Sequence, residues 1–139
     1  MEKTSASDNL RAEMPDTEAE LFAMEQYPLF DINVAIEHLG DIKTSRYIMQ
    51  HLKDDGINPD LPALKIAHEQ QDWEQIEKLA HKMKSGAVYG TPRLYYALLF
   101  MERYRQAGYL NCSEQLYQQM LKVIDETIAY LQDWLTRQP

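Results

Sequence analysis

Between Leu116 and Leu135, apolar residues return at steps of three and four: Leu116, Met120, Ile124, Ile128 or Thr127, Leu131 and Leu135. This is the longest clean helical period in the chain, and its stripe has to be buried against another element. No segment shows sustained polar–apolar alternation bounded by turn signals, so strands are not expected and the partners must be helices. The same period recurs upstream. Ile76, Leu79, Ala80, Met83 and Ala87 form one stripe over roughly 73–89, with Asp72 as N-cap and Gln75 completing a capping box. Gly90 is read as closing that helix, and Thr91–Pro92 as opening the next in the preferred order of cap then proline. Leu94, Ala97, Leu98, Met101 and Tyr104 form its stripe, Gly108 its end, and Asn111 with Glu114 a further capping box.

Nearer the N-terminus, Asp31 caps a segment holding Ile32, Val34, Ala35, Ile36 and Leu39, which Gly40 ends. Asp41 caps another, with Ile42, Tyr47, Ile48, His51 and Leu52 on or near one face. The stretch DDGINPDLPAL then breaks the period, predicting a kink or two helices separated by a turn. Pro62 is placed to begin a helix with Leu61, Leu64, Ile66 and Ala67 inward. The expected fold is all-α: an antiparallel up-and-down four-helix bundle over residues 30–139, with an additional short N-terminal helix or helices. Residues 1–29 read as an acidic leader, disordered or partly helical. Its first 16 or so residues suit a tether, and a short capped helix follows from Thr17 and Glu20 until Pro28.

Composition narrows the function classes. A chain of 139 residues with 45% hydrophobic and 26% charged content suits one globular domain. Its net charge of −8 repels nucleic-acid backbone and anionic membranes, so neither is an expected partner. No apolar run approaches the ~20 residues a membrane span requires, and the first residues lack the apolar core of a secretory signal. A lone cysteine, Cys112, cannot form an intramolecular disulfide, and a cytoplasmic location is expected. His38, His51, His68 and His81 are scattered without metal-ligand spacing, so no metal site is predicted. There is no glycine-rich phosphate loop or kinase signature, and no ATP site is expected.

The most informative side chain is His81. At about 100° per residue it falls roughly 140° from the centre of its helix's apolar stripe. Lys84 and Ser85, three and four residues on, lie beside it. A neutral imidazole is a good nucleophile near pH 7, since the free side chain titrates at about 6.5. Small residues at Ser85 and Gly86 leave approach to it open, and Gly86, costing up to about 1 kcal/mol in a helix, needs a packing or access reason. Lys84 is placed to steady phosphoryl oxygens. Val88 lies on the His81 side and offers apolar contact, while Glu77, Lys78 and Lys82 form a polar rim.

These residues carry a resemblance. AHKMKSGA is similar to the signature of histidine-containing phosphotransfer (HPt) domains, A-H-x-φ-K-G-[small]-A with φ apolar, followed by a glycine and an R-L pair. Ala80, His81, Met83, Lys84, Gly86, Ala87, Gly90, Arg93 and Leu94 carry the match, with Asp72–Trp73 upstream. Ser85 stands where the family usually has glycine, and the segment from His81 to Gly90 is one residue shorter than the usual pattern. The resemblance spans roughly Phe30 to Leu135.

It implies a bacterial phosphorelay carrier in which His81 takes a phosphoryl group from a receiver-domain aspartate and passes it to another receiver. It implies Lys84 as phosphate neighbour, and partner docking across Glu77, Lys78, Lys82, Ser85, Gly86 and Val88. Receiver (response regulator) domains are the expected partners, and a hybrid sensor histidine kinase is a further one. The protein itself, expected as a monomer, would need no cofactor, with Mg²⁺ coming from the receiver. The alternative is a helical adaptor that docks receivers or other signalling partners without carrying phosphate.

Overall fold

A computed structural model of the chain describes residues 14–137. Among the described residues every regular element is helical and no strand occurs. The α-helices are α1 (Glu18–Leu21), α2 (Ile32–Leu39), α3 (Ile42–His51), α4 (Leu61–Glu69), α5 (Trp73–Ala87), α6 (Pro92–Arg103) and α7 (Ser113–Arg137). Helix α6 packs against both α5 and α7; α5 also meets α4. None of the described helices is long and apolar enough to cross a membrane.

The long stripes settle these helices. All five stripe residues of α5 are buried; in α7 Thr127 and not Ile128 takes the inward place, and Tyr117, Val123 and Trp134 join the stripe inside. In α6 the whole run Ala97–Met101 is buried, because neighbours cover that helix on more than one side. A single stripe understates it.

Elsewhere the environment overrides the pattern. In α3 the inward face is Ser45, Met49 and Leu52, whereas Ile42 and Tyr47 are 43% and 70% exposed and His51 is exposed. Ser45 tolerates full burial because its hydroxyl donates to Asp41 O at 2.7 Å. Only Ala35 of α2 is buried, and Ile66 in α4 faces outward at 52% exposure. The predicted interruption is a kink: the chain stays helical from α3 through a π-helical stretch, Leu52–Ile57, and a 3₁₀ turn, Asn58–Asp60, into α4.

Two caps differ from expectation. Thr91 precedes α6, but its buried hydroxyl donates back to Ala87 O at 2.9 Å and caps nothing. Asn111 lies within a 3₁₀ turn, Leu110–Cys112, so α7 begins at Ser113 and no Asn111–Glu114 box forms. Glu114 instead meets His68 Nε2 at 2.8 Å. Gly90 has no positive φ; a Cβ there would come within 3.2 Å of Ala35 Cβ, so its smallness serves close packing.

Residues 14–29 belong to the same core as the rest. Leu21 is fully buried, Met24 nearly so, and Tyr27 stacks on Tyr96 with ring centroids 4.0 Å apart. Gln119 donates to Leu21 O at 2.8 Å and Arg93 Nε to Tyr27 O at 2.9 Å. Thr17 caps α1 by accepting from Glu20 N at 3.3 Å. Three apolar side chains and these hydrogen bonds hold the segment as a strap, with no break at Phe30. The proposed tether, residues 1–16, lies outside the described residues except for its last three.

Candidate functional site

Helix α5 sets the geometry. Asp72 Oδ1 accepts from Gln75 N at 3.2 Å, fixing the start of the helix, and the buried stripe fixes its rotation about its axis. His81 is thereby turned to solvent with 68% of its side chain exposed, and Ser85 is exposed on the following turn. Val88, just past the helix end, is 41% exposed on the same side.

The residue that organises the site comes from the neighbouring helix. Glu102 of α6 reaches across so that Oε1 contacts His81 Nδ1 and Oε2 accepts from Lys84 Nζ at 2.6 Å. Only 9% of the Glu102 side chain is exposed. Burial alone would raise its pKa, but hydrogen bonds from Lys84 and His81, with the charges of Lys84 and Arg103, outweigh it. The carboxyl is held below its usual range and stays ionised at neutral pH. An ionised carboxylate only accepts, so in this contact His81 Nδ1 is the donor.

Lys84 occupies a different place from the one its spacing suggests. Its side chain is 11% exposed, and its ammonium lies against Glu102 instead of standing free beside His81. Gly86 has a packing reason: a Cβ there would lie 2.9 Å from Leu52 Cδ1, so the glycine lets the π-helical stretch approach α5. It is half-buried, and its smallness serves that contact. Ser85 donates to Lys82 O at 2.9 Å.

The polar rim is present but paired. Glu77 binds Arg105, whose Nε lies 2.7 Å from Glu77 Oε2. Lys82 meets Asp60 at 3.1 Å, and Lys78 meets Glu74 at 3.5 Å. A shallow groove of about 330 Å³ runs between α5 and α6 on the N-terminal side of His81, bordered by Lys78, Glu102 and Arg103.

The other histidines play separate parts. His38 contacts Val34 O, His51 pairs with Asp55, and His68 stacks flat on Tyr117 at 3.8 Å. Among the described residues, no group of three or more His, Cys, Asp or Glu is placed to hold a metal ion.

Glu102 was missing from the sequence reading, although a signal existed. It lies at steps of four from Leu94 and Leu98, which puts a carboxylate in line with an apolar stripe. Such a carboxylate requires a partner, but which helix supplies it depends on packing. No family model matches the chain, and comparison with curated proteins and with solved structures finds no match.

Proposed function

We propose that the chain is a histidine phosphotransfer carrier, built as an up-and-down four-helix bundle with the strap across it, that relays phosphate between receiver domains. The observation that carries the reading is the pairing of His81 Nδ1 with a buried, ionised Glu102 on an otherwise open face. That pairing presents Nε2 to solvent as the nucleophile.

The step is an in-line displacement. The Nε2 lone pair forms a bond to phosphorus as the P–O bond of a receiver's aspartyl phosphate breaks, and the aspartate leaves as carboxylate. No proton has to depart, because the Nδ1 proton remains and the ring becomes cationic. Glu102 compensates that charge where it develops. Lys84 keeps Glu102 ionised and fixed, so the carboxylate is already oriented before reaction. Charge neutralisation on the phosphoryl group at the donor side falls to the receiver's own Mg²⁺ pocket. Transfer to a second receiver reverses the same bonds, and the chain has no turnover of its own.

Incubation with a panel of phosphorylated receiver domains, followed by intact-mass measurement, tests the reading. One added phosphoryl group, acid-labile and absent from His81→Gln, is expected. A stable receiver complex without mass change would replace the carrier with the adaptor, and no reaction across a broad panel would refute the phosphate chemistry.

A further inference from the structure

The strap of residues 14–29 holds α6 along its length. At the start of the helix, Arg93 N donates to Pro28 O at 3.0 Å and Arg93 Nε to Tyr27 O at 2.9 Å. Midway, the Tyr27 ring stacks on Tyr96 and meets the fully buried Phe100 edge-on, with centroids 6.4 Å apart. Beyond the C-terminal end, Tyr109 Oη donates to Pro15 O at 2.8 Å.

Helix α6 is also the one that delivers Glu102. At about 100° per residue, Glu102 lies roughly 150° around the axis from the mean direction of Arg93, Tyr96 and Phe100. The helix is thus gripped between the strap on one flank and the His81–Lys84 face of α5 on the other. A packed helix transmits a shift at one flank to the other as a rigid element. Hydrogen bonds from nitrogen span only about half an ångström in length, so a small displacement breaks one. Of the two partners of Glu102, Lys84 is 11% exposed and His81 is 68% exposed, so His81 is the one released.

We propose that the strap is a positioning element for the candidate site, with Tyr27 as its positioning residue. Seated, it holds α6 so that Glu102 meets His81 Nδ1; lifted, it frees the imidazole and leaves the Lys84 pair in place. This goes beyond the carrier reading, because it concerns the imidazole whether or not phosphate reaches it. Coupling between two sites is reciprocal, so loss of the Glu102–His81 contact loosens the strap.

NMR reads both directions. A neutral imidazole free in water carries its proton mainly on Nε2, whereas the Glu102 contact requires it on Nδ1. Ring ¹⁵N shifts of His81, taken where the ring is neutral, give the tautomer ratio. Y27A is expected to move that ratio several-fold toward Nε2–H, and Y27F to match wild type. Q119A, which removes the donor from α7 to Leu21 O, should move it the same way by less. L135A, a core truncation at the C-terminal end of α7, controls for lost stability and should match wild type.

In the reverse direction, Arg93 N–H lies in the first turn of α6, where no intrahelical acceptor exists, so its protection from hydrogen exchange comes from Pro28 O. E102Q is expected to raise its exchange rate several-fold and L135A to leave it unchanged. If folded Y27A and Q119A keep the wild-type tautomer ratio, or L135A matches E102Q in exchange, the inference is overturned. A Y27A chain that does not fold leaves the decision to Q119A and to Arg93 exchange in E102Q. A wild-type ring protonated on Nε2 would overturn both this inference and the pairing beneath the carrier reading. Failure of His81 to accept phosphate would count against the carrier reading alone.

Discussion

Replacing Glu102 with Gln separates the two roles of the shared carboxylate. The amide keeps the shape and loses the charge, leaving the Lys84 ammonium 11% exposed with its counter-ion gone. Removing one partner of a buried ion pair costs about 3–5 kcal/mol, and charge-assisted hydrogen bonds carry about 1.5–3 kcal/mol each. Lys84 retains some solvent and the amide oxygen still accepts, so we expect E102Q to lose about 2–3 kcal/mol.

His81→Gln removes a partner that is 68% exposed and should cost below about 1 kcal/mol. The assay is urea unfolding of wild type, E102Q, K84M and the double variant. A coupling of about 2 kcal/mol between Glu102 and Lys84 is expected, well above the coupling between Glu102 and His81.

The pH dependence follows from the depressed pKa of Glu102. The unfolded chain takes up the proton more readily than the folded one, so stability rises with pH through this group. The E102Q deficit should be complete above the ordinary carboxylate value of about 4.3. It should shrink as pH falls through the lower folded value. A loss under about 0.5 kcal/mol, additive single variants, or a deficit that persists at low pH would refute the account.

Three further outcomes are expected. Gly86→Ala brings a Cβ to 2.9 Å from the buried Leu52 Cδ1. Overpacking of about 1–3 kcal/mol should outweigh a helix-propensity gain of up to about 1 kcal/mol, and thermal unfolding would show the net loss reversed in sign by adding Leu52→Ala as partner. A chain beginning at Phe30 loses Leu21 and Met24 from the core, so its urea stability should fall by at least about 3 kcal/mol relative to the full chain. Asp72→Ala, which removes the acceptor for Gln75 N, should cost about 1 kcal/mol with no change in the denaturant m-value.

The amino-acid sequence by itself determined which segments are helical and, for α5 and α7, which face is turned inward. Their apolar residues recur over enough turns that a single rotation buries them all, and the cap at Asp72 marks where α5 begins. That rotation also determined that His81 faces water.

The short helices were less legible because their faces are decided by neighbours. Ser45 goes inward since its hydroxyl is satisfied within its own helix, and Ile66 goes outward although its type favours burial. Thr91 and Glu114 looked like capping residues, but Thr91 donates back to the carbonyl four residues earlier and Glu114 reaches His68 on another helix.

At the site, only the tertiary structure brought Glu102 from α6 between His81 and Lys84 and set Arg103 beside them. Spacing along one helix says which side chains share a face. It does not say which carboxylate the adjoining helix presents, and that carboxylate decides what His81 Nδ1 contacts and where the lysine ammonium lies.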